Sequence, residues 1–397
     1  MSGSNMNDPS VHWSAGDVAI DPSVQIGLIS ADSHIIEPPN CYIDHIDPAY
    51  RDRAPHVETG PNGGAVVVCD GIGKPIPLGI IAAAGIDPKD IRVDEARFED
   101  LHRGGWDPKA RLADQDRDGV VAEVIYPSVG MVLCNHPDPG FKRACFTAYN
   151  RWLETFQSVA PDRLYGLGQS AATSVAETIA DFEDIKRRGL AGVMLPCEPM
   201  TEYDYDDPRF DPVWQAAIDL KLPLSFHILT SSRNSKGIFG SVTRSDKMSS
   251  QCHTVIRANQ DVIALLIWGQ VFERFPGLKV VCAEADAGWA PHFMYRLDHF
   301  YKRHRYWAKI EPMAQMPSAY FRENIYLTFQ DDWSAFDQVH NMNPNRLCWA
   351  NDFPHSDSTW PISQAILTEH SAKLDPAIKR RILRDNTIEL YGMTLAA

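Results

Sequence analysis

The chain has 397 residues, 44% of them hydrophobic and 23% charged, ordinary values for a globular protein that buries a sizeable core. A formal net charge of -14 argues against a nucleic-acid ligand, because phosphate binding needs clustered cations. No stretch approaches ~20 uninterrupted apolar residues, and the polar opening from Met1 to Val24, with Asp8 and Asp17, is unlike a signal peptide, so a cytoplasmic protein with no membrane partner is expected.

Residues 1–25 are rich in Ser, Asn, Asp and Gly and read as a flexible N-terminal arm; residues 26–397 read as one large domain. An apolar run led by Ile26, Leu28 and Ile29 predicts a first strand that ends at Asp32-Ser33-His34, with Glu37 before the Pro38-Pro39 stop. Residues 41–118 form a long excursion whose Gly and Pro content marks it as an insertion or cap outside the core. Within it Gly63 to Gly71 predicts a small β-ribbon, and Asp107 to Asp116 a helix that stops at Gly119.

A regular beat then begins. Further apolar runs predict strands at Val121–Tyr126, Leu164–Gln169, Gly192–Leu195, Pro223–His227, Lys279–Glu284, Ile325–Thr328 and Leu347–Asp352. Helical spacing falls between most of them, at Phe141–Ala160, Val175–Arg188, Asp211–Leu220, about Ser249–Phe275 and Trp289–Tyr301, with a last helix at Pro376–Leu390. Eight strands in this rhythm predict an α/β fold, a (β/α)8 TIM barrel with a long insertion after the first strand. A doubly wound sheet is the alternative, but no G-x-G-x-x-G follows the first strand and no Walker A sequence occurs. The eight cysteines lack any C-x-x-C pair and read as reduced, mostly buried thiols.

The polar residues collect at strand ends. The first strand ends in Asp32 and His34, the fifth in His227, the sixth in Glu284 and the eighth in Asp352, and in a barrel these ends open on one face. Asp32 and His34, two apart on an extended segment, project to the same side. Singly, His227 could be a hydrogen-bonded core histidine, Glu284 a helix cap and Asp352 an N-cap before Pro354. Together, imidazoles and carboxylates suit a divalent metal with an open position: zinc first, with manganese or iron as alternatives. Asp352, Glu284 and His227 are the candidate catalytic groups, able to move protons beside a metal-activated water or a metal-bound substrate. Glu37 and His355 lie one step out as supporting or substrate contacts. Arg233, with Lys236 and Arg244 in the loop after the fifth strand, offers positive charge for an anionic substrate.

Several motifs resemble the amidohydrolase superfamily: the Asp32-x-His34 pair, the lone His227, Val280-Val281-Cys282-Ala283-Glu284-Ala285-Asp286-Ala287-Gly288-Trp289-Ala290-Pro291, and Asn351-Asp352-Phe353-Pro354-His355 continuing to Pro361. Phe272 to Leu278 is similar to the helix-to-strand junction of the branch that includes aminocarboxymuconate semialdehyde decarboxylase and aromatic-acid decarboxylases. The resemblance runs from about Ile29 to the C-terminus. It implies a distorted barrel, a divalent metal and frequent dimerisation, so a homodimer or higher homo-oligomer is expected. Three departures stand out. Asp32 replaces the first histidine of many members, Gly192–Leu195 carries no lysine to bridge two metals, and Glu284 stands where decarboxylases of the branch place a histidine.

The expected function is a carboxy-lyase or hydrolase acting on a small aromatic or unsaturated carboxylate. The alternatives are a non-haem Mn/Fe oxygenase, possibly dinuclear, and a non-catalytic partner subunit.

Overall fold

The computed structural model describes residues 18–231, 252 and 254–395. Its centre is an eight-stranded parallel sheet of β1 (Leu28–His34), β5 (Val120–Tyr126), β6 (Leu164–Gln169), β7 (Gly192–Leu195), β8 (Leu224–His227), β9 (Val280–Ala283), β10 (Ile325–Phe329) and β11 (Leu347–Trp349), paired in that order. The strands are short, apolar and almost wholly buried, the pattern of a parallel sheet covered by helices on its outer face. All eight expected barrel strands are present.

The barrel closes without a continuous ladder between β1 and β11. Individual bonds join the edges instead: Asn351 N–H donates to Ser30 Oγ at 2.9 Å, Asp352 N–H to the Asp32 carbonyl at 3.1 Å, and His34 N–H to the Phe353 carbonyl at 2.6 Å. The seam therefore runs through the residues of the polar strand ends.

Local chemistry sets the helix boundaries. Asp107, Asp138 and Asp375 each precede a proline, and each accepts a bond from a backbone N–H in the first turn of the helix it starts, at Pro108–Asp118, Pro139–Gln157 and Pro376–Arg380. Gly119 ends the first of these in the left-handed region at φ 75°. The long helix expected over Ser249–Phe275 differs: its described part is Val255–Trp268 and Val271–Arg274, broken at Gly269-Gln270. A Cβ on Gly269 would lie 2.2 Å from that of Asp206, so only glycine permits this approach, and Gln270 turns left-handed behind it.

Two expectations are corrected. Residues 18–25 are not free: Val24 is buried, and Asp21 meets the buried ammonium of Lys379 at 2.7 Å. The insertion is also not outside the core, since Cys41, Tyr42, Ile46, Val67, Leu78 and Leu101 join the main apolar cluster. Its ribbon is three-stranded, with β2 (His56–Thr59), β3 (Ala65–Val68) and β4 (Ile76–Pro77) antiparallel about β3. Sparse, separated apolar residues hid this packing from periodicity. Among the described residues no helix is long and apolar enough to cross a membrane, and every described cysteine is free, all but Cys252 buried.

Gly64 shows how closely the ribbon packs, because a Cβ there would meet the Asp94 carbonyl oxygen at 2.4 Å. Backbone cannot yield as a side-chain tip does, so Gly64→Ala should destabilise the insertion by about 1–3 kcal/mol. Thermal denaturation and limited proteolysis within 56–96 would show it; wild-type behaviour in both would contradict this packing.

Candidate metal centre

Extended backbone in β1 places Asp32 and His34 on one face, and both side chains are fully buried. Around them stand His227, the last residue of β8, Glu284, which follows β9, and Asp352, beyond β11. Glu284 (φ 51°) and Asp352 (φ 52°) both adopt the left-handed region, uncommon for side chains of this kind and frequent where a binding site holds the backbone.

His34 Nε2 lies 3.4 Å from Asp32 Oδ1, 3.5 Å from Glu284 Oε2 and 3.4 Å from Asp352 Oδ1. His227 Nε2 lies 3.6 Å from Asp32 Oδ1 and 3.2 Å from Glu284 Oε2. All of these atoms are buried and none has a hydrogen-bond partner. Leaving one buried polar atom unpaired costs roughly 1–3 kcal/mol, so a convergent set of them calls for a ligand. The far sides of the same residues are satisfied. His34 Nδ1–H donates to the Pro127 carbonyl at 2.9 Å and His227 Nδ1–H to that of Ile228 at 3.1 Å, which leaves both Nε2 lone pairs facing the centre. Thr328 Oγ accepts from the Glu284 N–H at 2.9 Å and donates to Asp32 Oδ2 at 3.0 Å, directing Oδ1 inward.

Bare imidazole nitrogens and carboxylate oxygens are the donor set of a divalent cation. Asp32, His34 and His227 form one set with ligand atoms within 4.8 Å of one another, and His34, Glu284, Asp352 and His355 form another. Electrostatics agree. Burial opposes a charge on His34, yet Asp32, Glu284 and Asp352 outweigh it and raise its pKa well above the usual value. Burial likewise opposes ionisation of Asp32 and Glu284, but the adjoining histidines hold both below their ordinary pKa. The pocket attracts positive charge.

Asp352 differs: burial and the neighbouring Glu284 drive its pKa well above the carboxylate range. Its partner is His355, whose ring stacks on His34 with centroids 3.9 Å apart and whose Nδ1 lies 3.1 Å from Asp352 Oδ1. Ser128 spends its hydroxyl hydrogen on the Ile35 carbonyl at 2.7 Å, so at 2.8 Å His355 Nε2–H must donate to Ser128 Oγ. That leaves Nδ1 bare toward Asp352. Burial and His34 also push the His355 pKa well down.

Glu37 lies outside this set. Its carboxylate accepts from the backbone N–H groups of Ser128, Val129 and Gly130 at 3.0 to 3.1 Å, so it reaches the site only by fixing Ser128. Arg233, Lys236 and Arg244 fall outside the described residues. Thr328 and Ser128 were missed in the sequence, since a lone hydroxyl residue at a strand end carries no spacing signal. Beyond Glu284 the mouth holds Asp286 and Asp357, raised by burial and neighbouring carboxylates to about 7 and about 6.

Comparison with known proteins gives a consistent picture. The family model described as Amidohydrolase matches residues 73–393. A protein named 2-amino-3-carboxymuconate-6-semialdehyde decarboxylase from Dictyostelium discoideum is 22% identical over 313 residues, 76% of this chain and 81% of that one. Among solved structures, an amidohydrolase from Mycobacterium avium subsp. paratuberculosis superposes with a TM-score of 0.75 at 20% identity, covering 92% of this chain and 99% of the other. A 5-carboxyvanillate decarboxylase from Novosphingobium aromaticivorans, complexed with manganese and 4-hydroxy-3-methoxy-5-nitrobenzoic acid, gives 0.67 at 16% identity, covering 95% and 99%.

Two outcomes are expected of the centre. Thr328→Val keeps shape but removes the bond that aims Asp32, so divalent-metal affinity should fall roughly 10–100-fold with the fold retained; chelator competition measures it, and wild-type affinity would contradict the role. Protons compete with the cation for His34 Nε2, and because its pKa is raised that competition extends to higher pH than for a free imidazole. Metal affinity should therefore climb with pH through neutrality, and a flat profile from calorimetric titration would oppose this reading.

Proposed function

The chain belongs to the amidohydrolase family, and from that premise we propose that it is a metal-dependent carboxy-lyase acting on a small aromatic or unsaturated carboxylate. The observation that carries the reading is the convergence of unpaired ligand atoms from Asp32, His34, His227, Glu284 and Asp352, with the Asp352–His355 pair beside them. Those five side chains would hold the ion, which we assign as zinc or manganese; the Novosphingobium relative holds manganese. When bound, such a cation supplies Lewis acidity toward the substrate's carboxylate and an adjoining oxygen.

The protein's own groups supply the proton. Loss of CO2 leaves the C–C bonding pair on the substrate carbon, which must take up a proton. Glu284 is held anionic by its histidine neighbours, which suits a ligand better than an acid. Burial and the neighbouring Glu284 favour the protonated form of Asp352, and His355 is the more exposed of the pair, with its ring on His34. The proton that the vacated carbon takes up would be held at the edge between Asp352 Oδ1 and His355 Nδ1, since His355 Nε2–H is spent on Ser128 Oγ. Glu37 fixes Ser128, and Ser128 fixes the orientation of His355.

Two similarities favour decarboxylation over hydrolysis: the name of the Dictyostelium relative and the aromatic acid bound by the Novosphingobium one. The carboxyls of Asp286 and Asp357 beside Glu284 disfavour an anion when ionised, and the bound cation would supply attraction for the substrate's carboxylate.

The test reconstitutes purified protein with manganese or zinc and offers hydroxylated benzoates and 2-amino-3-carboxymuconate semialdehyde in D2O. Release of CO2 with one deuterium on the vacated carbon is expected. Hydrolysis of amide or ester analogues with no CO2 release would overturn the assignment. His355→Ala should lower kcat by about 10²–10⁴ while leaving metal content at the wild-type level; an unchanged kcat would remove His355 from the chemistry.

A further inference from the structure

Arg111 sits in the helix Pro108–Asp118, in the connection ahead of β5, and its side chain is 0% exposed. A fully buried arginine is rare without a partner, and this one uses its whole fork. Nε–H donates to Glu123 Oε2 at 2.6 Å, with Glu123 itself 1% exposed, so the charge is neutralised locally. Nη1–H donates to the His34 carbonyl at 2.5 Å and, at 3.4 Å, to that of Gly104. Nη2–H reaches the Phe353 carbonyl at 3.4 Å, and the guanidinium lies over the Phe353 ring, 4.6 Å from its centroid.

His34 and Phe353 face each other across the barrel seam, where His34 N–H also donates to the Phe353 carbonyl. One is a candidate ligand and the other directly follows the candidate ligand Asp352. We propose that Arg111, neutralised by Glu123, is a positioning residue of the metal centre: by bridging the His34 and Phe353 carbonyls it fixes the spacing of the ligands His34 and Asp352. The geometry requires a planar fork. A lysine ammonium could meet one carbonyl or Glu123 but could not hold all three in the same plane. A hydrophobic isostere would fill the volume and hold nothing. A buried ion pair with no such task would be replaceable by apolar residues at little cost.

This inference rests on the metal reading above, and the test separates the two. Wild type, Arg111→Lys and Arg111→Met/Glu123→Leu are prepared metal-free; the double variant avoids stranding one buried charge. Co(II) serves as probe, with affinity from chelator competition and ligand-field bands from visible absorption. Thermal melts of the metal-free forms report the fold. Positioning predicts affinity weaker by roughly 10–100-fold in the double variant, the range for outer partners of metal ligands, with altered band positions and a smaller loss in Arg111→Lys. A purely structural role would lower the melting temperature of the metal-free form while leaving affinity and bands as in wild type, and that result overturns the proposal. Should the double variant not fold, Arg111→Lys decides by the same readouts. If wild type itself binds no Co(II), the metal reading fails instead.

Discussion

Carboxylates and imidazoles cannot stay buried together without something between them, and the barrel depends on how that constraint is met. Desolvation penalises each charge on Asp32, Glu284 and Asp352, and the bare lone pairs of His34 and His227 offer no compensating donor. A divalent cation resolves all of these at once. Without it, protons must substitute, which is why His34 is driven toward the charged form and Asp352 toward the neutral one. The same atoms thus appear as a liability of the fold and as the means of holding an ion.

The constraint reaches the architecture through the seam. Seven neighbouring strand pairs are joined by parallel ladders, the β1–β5 one with register shifts, whereas β1 and β11 meet through bonds made by Ser30, Asp32, His34, Asn351, Asp352 and Phe353. Closure and coordination therefore share residues. A displacement of either strand end would alter both, and Arg111 spans this join from behind with its charge cancelled by Glu123. On the open side, Ser128 and Glu37 fix His355, so the Asp352–His355 pair is placed by the insertion side of β1 and the loop after β5.

Much of this was legible in the sequence because barrel strands advertise themselves as short apolar runs, and because acids and histidines at their ends are conspicuous against that background. Asp32, His34, His227, Glu284 and Asp352 were found that way, and the structure brings them together. What escaped has a physical cause. Thr328 and Ser128 act through single hydroxyl groups, and Arg111 through contacts 77 and 242 residues away in the chain, none of which leaves a periodicity. Glu37, expected one step out as a supporting or substrate contact, accepts the backbone N–H groups of Ser128, Val129 and Gly130. The insertion's buried residues are scattered among glycines and prolines, so no apolar periodicity marks its share of the core.

These five side chains converge on a place for one divalent cation. Anomalous diffraction at the manganese edge from crystals grown with that ion tests it most directly. A strong peak is expected bonded to His34 Nε2 and His227 Nε2, with Asp32 Oδ1 and at least one oxygen of Glu284 or Asp352 completing the shell. A peak elsewhere in the molecule, or none while the His34 and His227 rings keep their present orientation, would contradict it.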